Sequence, residues 1–203
     1  DSATDSKAFD GLDKALTGSS TEYNGGSSDS VIDLSTSSAI TANYMLFLDM
    51  LDEFLSGLDG TPSFLGMNSK MAAKLRACAR RATMYQTTKN DYGQNVEMYG
   101  NIPFVDLGAK AGSNNPVVGI DTADKLSDNT TPNPNKGCSS IYVGRLALDG
   151  LHAVSPSGQA PIKTWLPDFK TAGAVKKGEV EMIAAIALKA SKAAGVFRKI
   201  KIQ

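Results

Sequence analysis

The stretch VEMYGNIPFVDLG, residues 96–108, predicts two short strands joined by a tight bend. Six of its positions carry strand-forming or apolar residues, namely Val96, Met98, Ile102, Phe104, Val105 and Leu107. Gly100 and Pro103 interrupt them. Because glycine weakens a strand and proline cannot donate to a ladder, the pair marks a turn, a bend or an edge. Such a bend either cradles a ligand or carries the chain round a corner in a surface that meets another subunit.

A long amphipathic helix is predicted before this stretch, with Thr41 as its N-cap. One face of it is apolar and carries Phe47, Leu51, Phe54, Leu55 and Leu58. The opposite face is polar and carries Asp49, Asp52, Glu53 and Ser56. Carboxylates placed in this way are most simply a solvated helix face, although acid pairs also serve general acid–base chemistry.

A second helix is predicted over residues 69–85, capped by Asn68 or Ser69. Its apolar positions follow helical spacing and are Met71, Leu75, Cys78 and Ala82. Its outer face is basic. Upstream, TPSFLGMN (residues 61–68) is predicted to be extended.

The remaining segments indicate further strands and loops. Residues 9–16 predict a short turn or helix, residues 17–30 an exposed Gly- and Ser-rich loop, and residues 31–34 a brief strand. Residues 108–138 predict a long loop, which in a compact domain indicates a functional projection or mobility. After it, Ile141 and Val143 alternate with Tyr142 as in a strand that ends before an Asp149-Gly150 turn.

The C-terminal segment is ambiguous from its residues alone. In VEMIAAIALKASKAAGVFRKIKI (residues 180–202) the alanines favour helix, whereas VFRKIKI alternates like a strand.

Length and composition allow one domain, or two small lobes that share a core. The chain has 203 residues, of which 41% are hydrophobic and 21% charged. No apolar run is long enough to span a membrane. Cys78 and Cys138 are 60 positions apart without a CxxC motif, so neither a zinc site nor a disulfide framework is predicted.

The net charge is zero but unevenly distributed. Residues 1–60 hold eleven acids and two lysines, a net charge of −9, so the remaining 143 residues carry +9. Two clusters supply most of this excess: Lys70, Lys74, Arg76, Arg80 and Arg81, and then Lys189, Lys192, Arg198, Lys199 and Lys201. They are solvated faces, complementary surfaces between neighbouring subunits, or a surface turned towards nucleic acid.

No catalytic constellation emerges. His152 is the only histidine, and no GxSxG, P-loop, HExxH or GxGxxG motif is present. We therefore expect no enzymatic activity, no cofactor and no bound metal. Arg145 lies among strand residues and needs a carboxylate or carbonyl partner if it is buried, either inside the chain or on another subunit.

In order, the chain contains FDGL, VIDLS, the acidic helix, PSFLGMNSKMAAKLRACAR, YGNIPFVDLG, IYVGRLALDGLHAV and the C-terminal segment. This order of segments resembles the C-terminal two thirds of a tailed-bacteriophage major capsid protein of the Hong Kong 97 type. This resemblance implies an α+β fold in which helices flank a sheet. It makes residues 36–150 the axial domain, and residues 1–35 and 151–203 segments of the peripheral domain. It also implies that the ambiguous C-terminal segment is a long strand.

The family normally has an N-terminal arm, an extended loop and a spine helix before the segment like FDGL. Only eight residues precede Phe9 here, so we expect a trimmed or proteolytic piece that folds but does not close into shells by itself.

The function implied by the resemblance is that of a shell subunit enclosing phage DNA, in the virion and, during assembly, in the host cytoplasm. Its partners would be copies of itself in pentamers and hexamers, a scaffolding protein, and packaged DNA touching the inner face non-specifically. The candidate inter-subunit contacts are Arg76, Arg80, Arg81, Arg145, Asp49, Asp52 and Glu53. The alternatives are a non-catalytic binding module or adaptor of a virion and, more remotely, a small hydrolase that uses His152.

Overall fold

A computed structural model describes residues 9–24, 31–110, 112–158, 160–167, 170 and 173–203. The helices in these ranges are α1 (Leu12–Leu16), α2 (Ser37–Ser56) and α3 (Ser69–Arg81), with a 3₁₀ turn at Ser191–Ala193. The strands are β1 (Glu22–Tyr23), β2 (Ile32–Asp33), β3 (Phe64–Met67), β4 (Gln86–Lys89), β5 (Asn95–Tyr99), β6 (Ile102–Asp106), β7 (Cys138–Gly144), β8 (Leu151–Val154), β9 (Ile162–Trp165), β10 (Glu179–Met182), β11 (Ala185–Leu188) and β12 (Ala194–Lys201). None of the described helices is long and apolar enough to cross a membrane.

Eight strands form the central sheet, in the order β1-β12-β7-β3-β6-β5-β4, with β2 also paired to β12. The pairs β3–β6, β1–β12 and β2–β12 are parallel, and the remaining pairs are antiparallel. The sheet therefore combines strands from residues before position 36 (β1 and β2), from residues 36–150, and from residues after position 150 (β12). The division of the chain into axial and peripheral segments at those positions stays a prediction.

The bend inside residues 96–108 is confirmed as the turn of the β5–β6 hairpin, where Tyr99 pairs with Ile102. Gly100 supplies the left-handed backbone at φ 57°, which few other residues adopt readily. Pro103 pairs with Met98, and β6 joins β3 only from Phe104 onward. The proline therefore removes no donor from the β3–β6 ladder.

Helix α2 begins five residues earlier than predicted. Its N-cap is Thr36, whose hydroxyl accepts a hydrogen bond from the Ala39 amide at 3.1 Å. The expectation that Thr41 caps the helix was wrong, because the Thr41 hydroxyl donates to the Ser37 carbonyl within the first turns. The predicted faces are confirmed, since Phe47, Leu51 and Phe54 are buried.

Helix α3 is capped by Asn68, one of the two predicted caps. Asn68 is 2% exposed. Its Oδ1 accepts from the Met71 amide at 2.8 Å, and its Nδ2 donates to the Val118 carbonyl and to Ser139 Oγ at 3.1 and 2.7 Å. The cap therefore also fixes the long loop against the sheet. The helix ends at Arg81 rather than at residue 85, because Thr83 adopts φ 57°.

The core lies between the two long helices and one face of the sheet. Four aromatic rings meet there, with Phe197 packed at 5.0–6.0 Å centroid distance from Tyr23, Phe47 and Phe54. A bulge in β12 makes this packing possible: Arg198 and Lys199 together lie opposite Ser140 of β7. Residues three apart in a regular strand face opposite ways, so the extra residue is what brings both Phe197 and Ile200 into the core.

The other face of the sheet is covered in part by α1, whose Leu16 packs with Ala194 and Val196. Arg198 links this layer to the sheet through its hydrogen bonds. Its guanidinium donates to Asp13 at 2.7 Å and also binds Glu22. Tyr142 donates to the same Asp13 carboxylate at 2.6 Å.

Three further expectations are corrected in detail. The strand predicted at residues 31–34 is shorter and consists of β2. The loop predicted at residues 17–30 contains β1, and its residues 25–30 lie outside the described ranges. Arg145 follows β7 instead of lying inside it. The C-terminal segment is extended, as the resemblance implies, but it is divided between β10, β11 and β12.

Between the end of β7 and the start of β12, the chain leaves the central sheet and forms two short ladders. Strand β8 pairs with β11, and further out β9 pairs with β10, both antiparallel. We call residues 151–188 the ribbon. Each of its ladders has only two strands, in contrast to the eight of the central sheet.

Candidate subunit interface

The outer ladder of the ribbon exposes large apolar side chains. The exposed fractions are 56% for Ile162, 72% for Val180 and 67% for Met182. Beyond the ladder, Leu166 and Val175 are exposed by 83% and 82%. Soluble proteins seldom leave such a contiguous apolar surface uncovered unless it meets a partner.

The strand register sorts these side chains by face. Met182 pairs with Ile162, and Val180 pairs with Thr164. Because side chains alternate between faces along a strand, these four lie on one face of the outer ladder. Lys163 and Glu181 pair on the opposite face, so the outer ladder has an apolar side and a charged side.

Helix α2 presents a second uncovered surface, opposite its core face. After Ser37, its exposed positions recur at helical spacing and are Ser38, Thr41, Ala42, Met45, Leu46, Asp49, Asp52, Glu53 and Ser56, which we call the outward stripe. Met45 and Leu46 are 64% and 55% exposed. The helix contains no lysine or arginine, so the stripe runs from polar through apolar to acidic.

Two predicted contact residues of this stripe, Asp52 and Glu53, already hold tyrosines of their own chain. Asp52 accepts from the Tyr99 hydroxyl at 2.7 Å, and Glu53 accepts from the Tyr23 hydroxyl at 2.5 Å. Burial and the Glu53 carboxylate raise the pKa of Tyr23 to about 12. The Asp49 side chain is exposed and forms no hydrogen bond with the described residues. Asp49 therefore has the most freedom to meet a partner.

The basic face of α3 includes an ion pair within the chain. Arg76 donates through NH2 to Glu97 at 2.7 Å, its Nε lies 2.6 Å from the other carboxylate oxygen, and Tyr85 donates to that oxygen at 2.9 Å. The Arg76 hydrogen bond holds the pKa of Glu97 below its usual value. This cluster joins α3 to β5.

Arg81 and Arg80, the next two predicted contacts, differ in what they touch. Arg81 donates to Ser37 Oγ at 3.1 Å and thereby links α3 to the first turn of α2. Arg80 is exposed and forms no side-chain hydrogen bond with the described residues. A contact from either of them to a neighbouring subunit stays a prediction.

Arg145 has carboxylate partners inside the chain. Its NH1 lies 3.1 Å from both carboxylate oxygens of Asp149, and its NH2 lies 3.7 Å from Asp59. Both interactions lie at the base of the ribbon. Of the two alternatives for Arg145, the internal partner is the one that the structure shows, and a partner on another subunit stays a prediction.

The groups with catalytic potential are not brought together. His152 lies in β8, where its Nδ1 is buried without a partner among the described residues. Cys78 and Cys138 are buried free thiols, and burial raises the pKa of each to about 11, which makes them poor nucleophiles. A cavity of about 350 Å³ lies over Ser140 and Lys199 and is lined mainly by polar side chains.

Comparison with known proteins finds similarity in structure but none in sequence. No known family and no curated protein matches the sequence. The chain is similar to the holo-SrpI encapsulin complex from Synechococcus elongatus PCC 7942, with 14% identity and a TM-score of 0.55. The alignment covers 89% of this chain and 53% of that one, so the chain spans about half the length of the shell protein.

The chain has an α+β fold of the Hong Kong 97 capsid type. This likeness confirms the predicted fold class, a sheet flanked by helices. At 14% identity it establishes the fold alone.

The sequence reasoning missed the ribbon surface. The stretch IKTW at residues 162–165 is too short to define a period, and two polar residues separate its apolar ends. Only the pairing of β9 with β10 shows that Ile162 and Met182 share one uncovered face.

Proposed function

We propose that this chain is part of a non-catalytic structural subunit that assembles with copies of itself into a closed shell. The uncovered ribbon carries the proposal, because an isolated two-stranded ladder is marginally stable in water and its apolar side needs a second layer. The fold shared with an encapsulin supports self-assembly as the source of that layer.

The finer form of the proposal is a phage-type major capsid subunit, as the order of sequence segments implies. Under it, the partners are copies in pentamers and hexamers, a scaffolding protein, and DNA on the inner face. The location is then the virion, and the host cytoplasm during assembly.

A second candidate is a subunit of a protein compartment like the encapsulin, favoured by the structural match itself. The two candidates share the shell and differ in its contents. Particles purified from the native host distinguish them, because enclosed phage DNA is released as nuclease-sensitive material when the particles are opened, and a shell without DNA releases none.

The test of shell formation uses the protein at its full natural length. Sedimentation velocity and negative-stain electron microscopy should show rings or closed particles. The double variant Ile162→Ser, Val180→Ser should shift the protein towards monomer, because it removes apolar area from the contact.

Tyr92→Ser is the matched control, since Tyr92 is 90% exposed at the β4–β5 turn, away from the ribbon. It should leave assembly unchanged. A full-length protein that stays monomeric at every concentration and ionic strength tested would contradict the proposed function.

A further inference from the structure

Building on the proposed function, we infer that the apolar side of the ribbon of one copy docks along the outward stripe of α2 on a neighbouring copy. The partner is a second copy of this chain, and each copy contributes a different surface. Both surfaces are uncovered in the described chain.

The first argument is apolar complementarity. The ribbon offers Ile162, Val180 and Met182, each more than half exposed, and the stripe offers Met45 and Leu46, exposed to a similar degree. Unbranched methionines occur on both sides, and their flexibility suits two surfaces that must fit without a deep groove.

The second argument is charge. We call residues 166–178, which join β9 to β10, the end of the ribbon. It carries three lysines, Lys170, Lys176 and Lys177, against one acid, Asp168, whereas the C-terminal half of the stripe carries Asp49, Asp52 and Glu53. The outer face of α3 is basic, like the end of the ribbon, and would repel it. Among the long helices, only α2 complements the ribbon in both respects.

The third argument is spacing. Along the ribbon, Lys177 lies three residues from Val180, which spans at most about 10 Å. Along α2, Glu53 lies eight residues from Met45, a rise of about 12 Å. An apolar contact between Val180 and Met45 therefore places the basic end of the ribbon beside the acidic half of the helix when the ribbon points towards the C-terminus of α2.

The contact joins two unlike surfaces, so it is heterologous. Each copy then uses its ribbon on one neighbour and its α2 on another, and repetition closes a ring when the rotation permits. An isologous dimer would leave no ribbon for a third copy.

The experiment is cysteine trapping between separately prepared variants of the full-length protein. One carries Met45→Cys and the other Val180→Cys, and a short bismaleimide cross-linker is added after they are mixed under assembly conditions. The native Cys78 and Cys138 are buried, so the introduced thiols react first. The expected result is a cross-linked dimer from the mixture and none from either variant alone.

Tyr92→Cys replaces each variant in turn as the control and should give no dimer. Cross-linking to Tyr92→Cys at the same yield would mean random collision and overturn the inference. Closed particles without the Met45–Val180 cross-link would overturn it while the proposed function stands. If Val180→Cys is also shielded from maleimide before assembly, another part of the same chain covers the ribbon, and the inference fails.

Charge reversal provides a second readout. Lys177→Asp and Asp49→Lys, tested singly, should each weaken association about threefold at low salt, and the double variant should regain most of that loss. Equal losses in the singles and an additive loss in the double would contradict the pairing.

Discussion

The central sheet and the ribbon both contain apolar strand residues, yet those of the sheet form a core and those of the ribbon form a surface. Leu65, Ile141 and Val143 in the sheet are fully buried, while Val180 and Met182 in the ribbon are about 70% exposed. Both regions are extended and both alternate side chains. They differ in what covers them, because helices α2 and α3 lie on the sheet, whereas each ladder of the ribbon has two strands and no described helix lies over it.

This difference shows that apolar strands alone do not indicate where a core is. One face of a sheet becomes part of a core when a second layer covers it. Among the described residues, the helices supply such a layer to the central sheet and not to the ribbon. Under the proposed function, a neighbouring copy supplies this layer to the apolar side of the ribbon.

Amide hydrogen exchange gives the largest expected contrast between the two regions. In the unassembled chain, amides of β7 and β12 should exchange at least about 1000-fold more slowly than those of β9 and β10, since core strands open only with global unfolding. After assembly the β9 and β10 amides should slow markedly. Equal protection of both regions in the free chain would erase the distinction.

Core truncation should separate the regions by stability. Phe197→Ala should lower the free energy of unfolding by about 3–5 kcal/mol, because the ring fills the aromatic cluster with Tyr23, Phe47 and Phe54. Ile162→Ala in the ribbon should change it by about 0.5 kcal/mol or less. Urea denaturation followed by circular dichroism measures both, and similar losses would show that the ribbon is already packed.

The buried cap of α3 should have an intermediate effect. Asn68→Ala removes the acceptor for the Met71 amide and leaves the Val118 carbonyl and Ser139 without their donor, so we expect a loss of about 2–3 kcal/mol. Asn68→Asp keeps the acceptor and removes the donor. In the same denaturation assay it should be distinguishable from alanine, and wild-type stability for Asn68→Ala would show that the cap is dispensable.

The smallest expected effect is that of the Arg76–Glu97 pair, which is partly solvated. Since the folded pKa of Glu97 is lowered, the charged carboxylate stabilises the fold above its unfolded pKa of about 4.3, and this contribution disappears as the pH falls below that value. Glu97→Gln should therefore cost under about 1 kcal/mol at pH 7 and converge with wild type in acid.

Glu181→Gln, on the ribbon, is its control and should track wild type across the titration. Parallel stability curves for Glu97→Gln and wild type at all pH values would contradict the ion-pair assignment.

Much of the sheet and helix layer is predictable from the sequence, because burial imposes a period. The spacing of Met71, Leu75 and Cys78 predicts α3, and Gly100 with Pro103 predicts the hairpin turn. The start of α2 was missed because Thr36 and Thr41 are both acceptable caps, and the choice depends on where the chain leaves β2.

The bulge in β12 could have been predicted from the sequence. Ile200 and Ile202 share one phase of the alternation, and Phe197 lies out of that phase, which requires an extra residue if all three enter the core. The partners of Arg76 and Arg145 were not predictable, because they depend on which residues the fold brings together from distant positions.

The attachment of the ribbon has a mechanical consequence. Its two ends continue into β7 and β12, neighbouring interior strands that are bonded to each other and to β3 and β1 on their outer sides. A force applied along the ribbon pulls on β7 and β12 at the same end of the sheet. It therefore does not slide β7 past β12. A change in the angle between the ribbon and the sheet would therefore move β7 and β12 together, and with them the strands to which they are hydrogen-bonded.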